Sequence, residues 1–375
     1  MTMTEKAANS PYFQAKAAKT AAAHHDSPIS QLSQWIVDKQ AEWSLILLAL
    51  IHAHDSIIAR KTSPFVHLQH KIPGDAEGRY YRGPQDIYFT LYWVLAFTLI
   101  RVTVMNKILK PLTSWYKVRS SRKVTRFCEQ GWLVIYYILS NSAGLYVMST
   151  QPHWLNTRHF WIGYPEGHRQ MTALMKMYYL VQMGFWFQQI FVLMIEEKRK
   201  DFVVMFTHHI VTCSLMVMSM YMNYTRIGNA ILCCMDFSDI FLSGTKCLRY
   251  LKLEKASVAC FVAFFVSWIY TRHYLYMKIM LSIIFESQRY LDYDNWNPEQ
   301  GVFYNKAVIF TFAALLAILQ GLIIYWFTLV LKIVYRIVFH SNLEDSRSDS
   351  ESSDDDDNGN DDNADKKTLK AKKTS

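Results

Sequence analysis

Charged residues are scarce in this chain. Asp, Glu, Lys and Arg make up only 19% of its 375 residues, whereas a typical soluble domain has about 25%. This deficit excludes an ordinary soluble enzyme. The mean hydropathy of +0.01 is low only because both ends are polar. Residues 1–42 contain no apolar run, and residues 341–375 are almost wholly polar.

Motifs that would indicate other classes of protein are also missing. The N-terminus lacks the apolar core of a cleaved signal peptide, so we expect the first span to be an uncleaved anchor. No repeat with a period of about 20–50 residues is present, which favours a single membrane domain. The cysteines show no CxxC pair and no Cys/His spacing, which argues against a disulfide framework or a zinc site. They are Cys128, Cys213, Cys233, Cys234, Cys247 and Cys260.

Hydrophobic residues make up 51% of the chain. They are concentrated in long apolar runs in its middle. A membrane-spanning helix needs about 20 mainly apolar residues. The runs predict spans at 43–58, 87–105, 129–149, 171–195, 202–222, 227–248, 257–284 and 306–338. The sequence therefore predicts an all-α polytopic membrane protein, a bundle of about eight transmembrane helices with both termini on one side.

The distribution of basic residues predicts the orientation of this bundle. The loop at 106–128 is the most basic, and Lys198-Arg199-Lys200 and the residues around Arg249 follow on the same side. Cytosolic loops are enriched in Lys and Arg, so this side and both termini are predicted to be cytosolic. Loops 150–170 and 285–305 are poorer in basic residues and suit the lumenal side, whereas loop 59–86 fits less well. The same distribution favours a membrane protein over a nucleic-acid-binding one.

Four ionisable residues are predicted to cluster at one depth within the membrane. The fifth span contains His208 and His209, and the sixth contains Asp236 and Asp239, whose i, i+3 spacing places them on one helix face. A charged residue at a helix centre costs about 2.5–3.5 kcal/mol on insertion scales, so such residues indicate a functional site. Counted from the span ends, both pairs fall at similar depth, and antiparallel neighbouring helices would bring them into contact.

Histidine and aspartate at one depth favour acid–base or nucleophilic chemistry, because a carboxylate can orient an imidazole and raise its basicity. An alternative is that the four residues only satisfy one another across two helices. A metal site is not expected, because the HxxxH and HxxHH clusters of iron-dependent membrane hydroxylases are absent. Arg272, Gln188 and Gln189 are further candidates for the same cavity.

The segment around these residues resembles the signature of the ceramide synthases, the longevity-assurance members of the TLC-domain family. Its matching residues are Arg199-Lys200-Asp201-Phe202, His208-His209, Asn223, Arg226, Gly228, Asp236-x-x-Asp239, Leu242, Lys246 and Tyr250. Ser243, where animal members usually have Glu, and the absence of a homeobox-like domain resemble the fungal branch. Met220 stands where many members have Tyr.

The resemblance implies a TLC-type bundle with its core at about 120–338, within a transmembrane domain spanning 43–340. It also implies N-acylation of sphinganine or phytosphingosine by fatty acyl-CoA at the endoplasmic reticulum, with His208, His209, Asp236 and Asp239 as catalytic residues. Acyl-CoA would be a co-substrate, with no cofactor or metal. Basic candidates for binding CoA or substrate are Lys198, Arg199, Lys200, Lys246, Arg249 and Arg272.

The family also suggests partners and a selectivity element. Fungal relatives suggest a small single-span accessory subunit and a homo- or heterodimer, beside the membrane lipids. The lumenal loop at 285–305 would tune acyl-chain length. Two other functions stay open: a non-catalytic TLC-domain protein that binds lipid or chaperones membrane segments, and a membrane O-acyltransferase, whose catalytic His would stand alone. The sequon Asn223-Tyr224-Thr225 lies close to the membrane on the predicted lumenal side.

The two ends are predicted to be cytosolic segments, 1–42 and 341–375. The second has eleven acidic and six basic residues and almost nothing apolar, which is typical of disorder. Ser346, Ser348, Ser352 and Ser353 each precede an acidic residue by three positions, as acidophilic kinases prefer. Lys372 and Lys373 resemble the dilysine signal that retrieves membrane proteins to the endoplasmic reticulum.

Overall fold

A computed structural model describes residues 35–195, 201–293 and 296–339. Within these ranges the regular secondary structure is helical, and β-structure is limited to isolated bridges in the connecting segments. The main helices are α1 (Gln40–Ile57), α2 (Asp86–Trp115), α3 (Ser121–Ser149), α4 (Ala173–Ile195), α5 (Phe202–Tyr221), α6 (Thr225–Tyr250), α7 (Glu254–Arg289) and α8 (Lys306–Phe339). Several residues singled out in the sequence lie outside the described ranges: Lys198, Arg199, Lys200, the four tail serines, Lys372, Lys373 and both terminal segments beyond residues 35–339.

Seven of the described helices, α2 to α8, are long and apolar enough to cross a membrane. The prediction of an all-α polytopic membrane protein with about eight helices is thus confirmed. Each predicted span corresponds to one helix. The exception is α1, which has 18 residues, contains Glu42, His52, His54 and Asp55 and is not among these seven.

The basic segment predicted as a loop at 106–128 is almost entirely helical. α2 continues through a π-helical turn at Met105–Leu109 to Trp115, and α3 begins at Ser121. Only residues 116–120 connect the two helices. Lys and Arg are good helix formers, and their long side chains let a helix leave the apolar layer without ending. Charge therefore located the end of the apolar run correctly but not the end of the helix.

The bundle packs in a definite order. α6 makes its most extensive contacts with α3 and α7, while α2 packs on α4 and α1, and α4 also packs on α5. Rings of Phe97, Trp132, Tyr136 and Phe185 form part of the core between α2, α3 and α4. Gly228 permits close approach of α6 to α4, because a Cβ there would collide with the hydroxyl of Tyr179.

Four connecting segments meet at one end of the bundle, which we call the loop face: residues 58–85, 150–172, 222–224 and the described part of 290–305. Tyr80 pairs with Met171 through two backbone hydrogen bonds. The Arg169 guanidinium donates to Gln300 O at 3.0 Å, and Asn223 Nδ2 donates to Gly301 O at 3.0 Å. Loop 59–86, the poor fit by charge, thus lies beside the loops predicted to be lumenal.

A buried lysine fixes that loop to the bundle. Lys176, at the start of α4, is 0% exposed. Its ammonium pairs with Asp86 Oδ1 at 2.7 Å and donates to Tyr81 O at 2.7 Å and Gln69 O at 3.0 Å. An ammonium has three N–H donors, so this one is fully satisfied.

Contacts divide the chain into two units, residues 1–319 and 320–375. The first contains α1 to α7 and the beginning of α8. The described part of the second is the remainder of α8.

Candidate active site

The two histidines lie on α5, about 9 Å along the helix from its start at Phe202. Their ring centroids are 5.6 Å apart, and the indole of Trp186 on α4 contacts both, at 5.6 Å from His208 and 5.5 Å from His209. His209 is buried. The aromatic wall of Trp186 therefore shields both imidazoles on one side.

The hydrogen bonding of His209 fixes its tautomer. Its Nδ1 lies 2.7 Å from the carbonyl oxygen of Met205, one turn earlier. A carbonyl can only accept, so Nδ1 carries the hydrogen and, in the neutral ring, Nε2 carries the lone pair. His209 is thus oriented by its own helix, with one nitrogen available to take a proton.

Asp236 lies on α6 and is 0% exposed. Its Oδ2 accepts hydrogen bonds from Ser140 Oγ on α3 at 2.5 Å and from Gln182 Nε2 on α4 at 3.2 Å. Its Oδ1 is buried without a hydrogen-bond partner among the described residues. The carboxylate is therefore held on one oxygen and open on the other.

Gln182 is itself locked in one orientation. Its amide oxygen accepts from the hydroxyl of Tyr136, and its Nε2 also lies 3.1 Å from the Tyr178 hydroxyl. Because an amide presents donors on one side and an acceptor on the other, the Tyr136 contact directs Nε2 toward Asp236. Three helices thus cooperate to position one carboxylate.

Asp239 has a different partner. Its Oδ1 forms an ion pair with Arg272 Nη2 at 2.6 Å, and Arg272 Nη2 also donates to Met235 O at 3.0 Å. The guanidinium lies over the Trp268 ring, 3.9 Å from its centroid. Arg272 is in a π-helical stretch of α7, Ile269–Leu275. π-helical turns shift the register of side chains and are frequent at functional sites.

The structure thus brings the two pairs to adjacent helices but does not join them as a direct dyad. The described hydrogen bonds of His209, Asp236 and Asp239 go to other partners than one another. Electrostatics provides the link, because the charge of Arg272 acts on both Asp239 and His208. Arg272, which was predicted to bind CoA or substrate, forms its ion pair with Asp239.

Lys246 and Arg249 lie toward the other end of α6 and are exposed. At 1.5 Å per residue they are about 10 and 15 Å along the helix from Asp239, and the charge of Lys246 also acts on Asp239. This end of α6 is opposite the loop face.

Gln188, another predicted residue of the cavity, lies on α4. It is fully buried, and its Nε2 has no hydrogen-bond partner among the described residues.

Sequence reasoning missed Ser140, Gln182 and Trp186. Each stands within a predicted span, and a polar side chain such as Gln182 in an apolar run was the available signal.

Within the described ranges, no group of three or more His, Cys, Asp or Glu residues is arranged to hold a metal ion.

The fold and site define a polytopic helical membrane protein with a buried polar centre, and comparison with known proteins identifies its class. A family model described as TLC domain matches residues 126–332. The sphingosine N-acyltransferase lag1 of Schizosaccharomyces pombe is 40% identical over 288 residues, which cover 77% of this chain and 73% of that protein.

Two further fungal relatives agree. The ceramide synthase LAG1 of Saccharomyces cerevisiae is 33% identical over 292 residues, covering 76% of this chain and 69% of that protein. The ceramide synthase FUM18 of Gibberella moniliformis is 31% identical over 330 residues, covering 81% and 76%. The chain belongs to the TLC-domain family of sphingosine N-acyltransferases, or ceramide synthases, as the signature indicated.

Proposed function

We propose that the protein is a ceramide synthase, which transfers the acyl group of a fatty acyl-CoA to the amino group of a sphingoid base such as sphinganine or phytosphingosine. The observation that carries this assignment is the family membership together with His208, His209, Asp236 and Asp239 within the matched segment, of which His209 and Asp236 are buried. The cluster occupies the interior of the bundle, where a thioester is protected from water.

The reaction requires proton transfers that this cluster can support. The protonated amine loses one proton before attack and a second as its nitrogen bonds to the thioester carbonyl carbon. The carbon–sulfur bond then breaks, one proton goes to the departing CoA sulfur and the other leaves to water. His209 Nε2, which holds the lone pair opposite the Nδ1 contact with Met205 O, is the base in this scheme.

The two carboxylates act differently. Asp236 Oδ1 is an open acceptor, suited to bind the ammonium or a hydroxyl of the sphingoid base. Asp239 balances the charge of Arg272, which otherwise would disfavour a positive imidazolium at His208. A proton that reaches His208, whose ring contacts that of His209, is therefore better tolerated while Asp239 is ionised.

Acyl-CoA would approach from the end of α6 that contains Lys246 and Arg249, where cationic side chains can bind its phosphates. The acyl chain would then extend toward the loop face, and the loop at 285–305 would cap it and select its length. We propose that no metal or other cofactor takes part, so chelators should leave turnover unchanged.

We also propose a location in the endoplasmic reticulum membrane with both termini in the cytosol. The basic connections at 116–120 and 251–253 lie at the opposite end of the helices from the loop face, which supports this orientation by the positive-inside rule. Protease protection of terminal tags in intact microsomes tests it. Lys372 and Lys373 would serve retrieval, and the four tail serines would be phosphorylated.

A small single-span accessory subunit and a dimeric assembly are further proposals that follow from family membership. Co-purification from native membranes followed by mass determination of the assembly tests both. A monomer of this chain alone that retained full turnover would contradict the requirement for either partner.

The test of the main assignment is N-acylation of sphinganine by the purified protein, comparing wild type with His208→Ala and His209→Ala. We expect turnover to fall about 100-fold or more in at least one variant, the usual contribution of a positioned acid or base. His54→Ala on α1 is the control and should be fully active. Sphinganine binding with no amide formation by wild-type protein would favour the non-catalytic lipid-binding function.

A further inference from the structure

A cavity of about 200 Å³ opens on the loop face, well away from the proposed active site. Its lining comes from four separate segments: Tyr81 and Arg82, Arg169, Asn223, and residues 298, 299 and 301. Asn223 lies about 22 Å along α5 and the following turn from His208 at helical rise. We call this cavity the arginine pocket.

Two aromatic rings position the guanidinium of Arg82 in the pocket, and most of its N–H groups donate no hydrogen bond within the described part of the chain. Its guanidinium carbon lies 4.8 Å from the ring centroid of Tyr221 and 5.0 Å from that of Phe303. Its hydrogen bonding within the described part of the chain is one long contact, from Nη1 to Met220 O at 3.4 Å. A guanidinium has five N–H donors, so most of those of Arg82 remain available to a ligand.

Arg169 approaches the same cavity from the loop before α4. Its Nη1 donates to Gln300 O at 3.0 Å and lies 3.6 Å from Glu166 Oε1, and its guanidinium carbon is 5.6 Å from the Tyr81 ring centroid. Gly301 has φ +79°, and a Cβ there would lie 2.7 Å from Arg169 Cδ. Glycine at this position is thus required both by the backbone and by the arginine beside it.

The two arginines differ in their counter-charges: Arg169 lies near Glu166, whereas Arg82 forms no ion pair among the described residues. Burial lowers the pKa of Arg82, and the neighbouring charge of Arg169 acts in the same direction. The carboxylate of Glu299, at the rim, is exposed and forms no ion pair with either arginine among the described contacts. Two guanidinium groups that converge without a shared carboxylate form a site that favours an anion, and their planar forks match the oxygens of phosphate.

The residues around the pocket are of the kinds found at the level of lipid headgroups. Tyr221, on which Arg82 stacks, ends the membrane-crossing helix α5 and is 59% exposed, and the exposed Trp296 packs against Phe303. Exposed Tyr and Trp at helix ends are typical of the membrane–water interface. Basic pockets at this level bind anionic lipid headgroups.

We propose that the arginine pocket binds a phosphate group through Arg82 and Arg169, supplied by a phospholipid of the leaflet at the loop face or by a soluble phosphate compound. This site is separate from the acyltransferase centre and does not depend on the proposed reaction. Because Gly301 lines it and Gln300 and Phe303 contact its two arginines, an occupied pocket would hold residues 296–305 against α5 and the loop at 58–85.

Native mass spectrometry of the delipidated full chain, with dihexanoyl phosphatidic acid, dihexanoylglycerol and inorganic phosphate as probes, tests the proposal. We expect phosphatidic acid to bind and dihexanoylglycerol not to bind. Arg82→Gln and Arg169→Gln should each weaken phosphatidic acid binding about tenfold or more, the value of a hydrogen bond to a charged group. Arg158→Gln, which removes an exposed arginine of the same face outside the pocket, should change nothing.

The three probes separate the two sources of phosphate. Binding of phosphatidic acid much tighter than that of inorganic phosphate assigns the site to lipid, whereas equal affinities assign it to a soluble compound. Equal binding of phosphatidic acid and dihexanoylglycerol, no binding of either phosphate probe, or undiminished binding in Arg169→Gln would overturn the proposal. Arg169 is at the surface, so this variant tests the site even where Arg82→Gln fails to fold.

Discussion

The ion pair between Asp239 and Arg272 offers a test of how the two carboxylates act. Asp239→Asn removes the negative charge and leaves the guanidinium of Arg272, only 7% exposed, without its counter-charge. Breaking a buried pair by removing one partner costs about 3–5 kcal/mol. Because the Asp239 side chain is 19% exposed, we expect the low end, about 3 kcal/mol of unfolding free energy.

Both the stability and the turnover of this variant should decrease, for separate reasons. The uncompensated charge of Arg272 acts on His208, whose ring contacts that of the base His209, and disfavours a positive imidazolium in this pair, so we expect a loss of about 100-fold or more. The double variant Asp239→Asn/Arg272→Gln removes both charges. It should regain most of the unfolding free energy and about tenfold of the lost turnover, as expected for two residues that act as a coupled pair.

The measurements are thermal unfolding in detergent and N-acylation of sphinganine by all three variants and wild type. A double variant that is stable but no more active than Asp239→Asn would show that Asp239 acts on the substrate directly. An Asp239→Asn protein that unfolds like wild type would refute the buried ion pair itself.

Three further predictions concern the loop face. Lys176→Met should lower the unfolding free energy by about 3–5 kcal/mol, because Asp86 would be left buried and unpaired, whereas Lys278→Met at an exposed site of α7 should have little effect; equal unfolding temperatures would contradict the role of the lysine. Burial lowers the pKa of His168 to about 3 and that of His153 to about 4, so stability should be full above pH 6.5 and fall as the pH decreases toward these values. His168→Gln should make that pH dependence shallower, as followed by unfolding temperature. Asn223 is buried and its amide donates to Gly301 O, so endoglycosidase treatment should leave the mobility of the protein expressed in eukaryotic cells unchanged, and a shift would show an accessible sequon.

The sequence was sufficient for the helices because apolar runs long enough to cross a membrane have few other structures available. The positions of His208 and Asp236 in the middle of their helices also followed, since depth depends only on residue count. The ends of the helices were harder to predict from the sequence. Lys107 and Arg122 mark the limit of the apolar layer, yet both lie within helices that continue beyond it.

Partner choice could not be predicted, because it depends on contacts between residues far apart in the chain. The i, i+3 spacing of Asp236 and Asp239 indicated one common face, but one carboxylate meets Ser140 and Gln182 and the other meets Arg272. The π-helical turn that contains Arg272 leaves no local sequence signal. A two-helix argument therefore named residues of α5 and α6 but omitted their partners on α3, α4 and α7.

The salt bridge of Lys176 has a consequence for the limits of the family domain. The matched segment begins at residue 126, yet Lys176 within it has its acceptors at Gln69, Tyr81 and Asp86. A chain shortened to residues 126–332 would keep this lysine at the start of α4 and lose every group that neutralises or binds it. The segment matched by the family model is thus shorter than the unit that folds. Any minimal functional fragment must begin before the loop that contains Gln69.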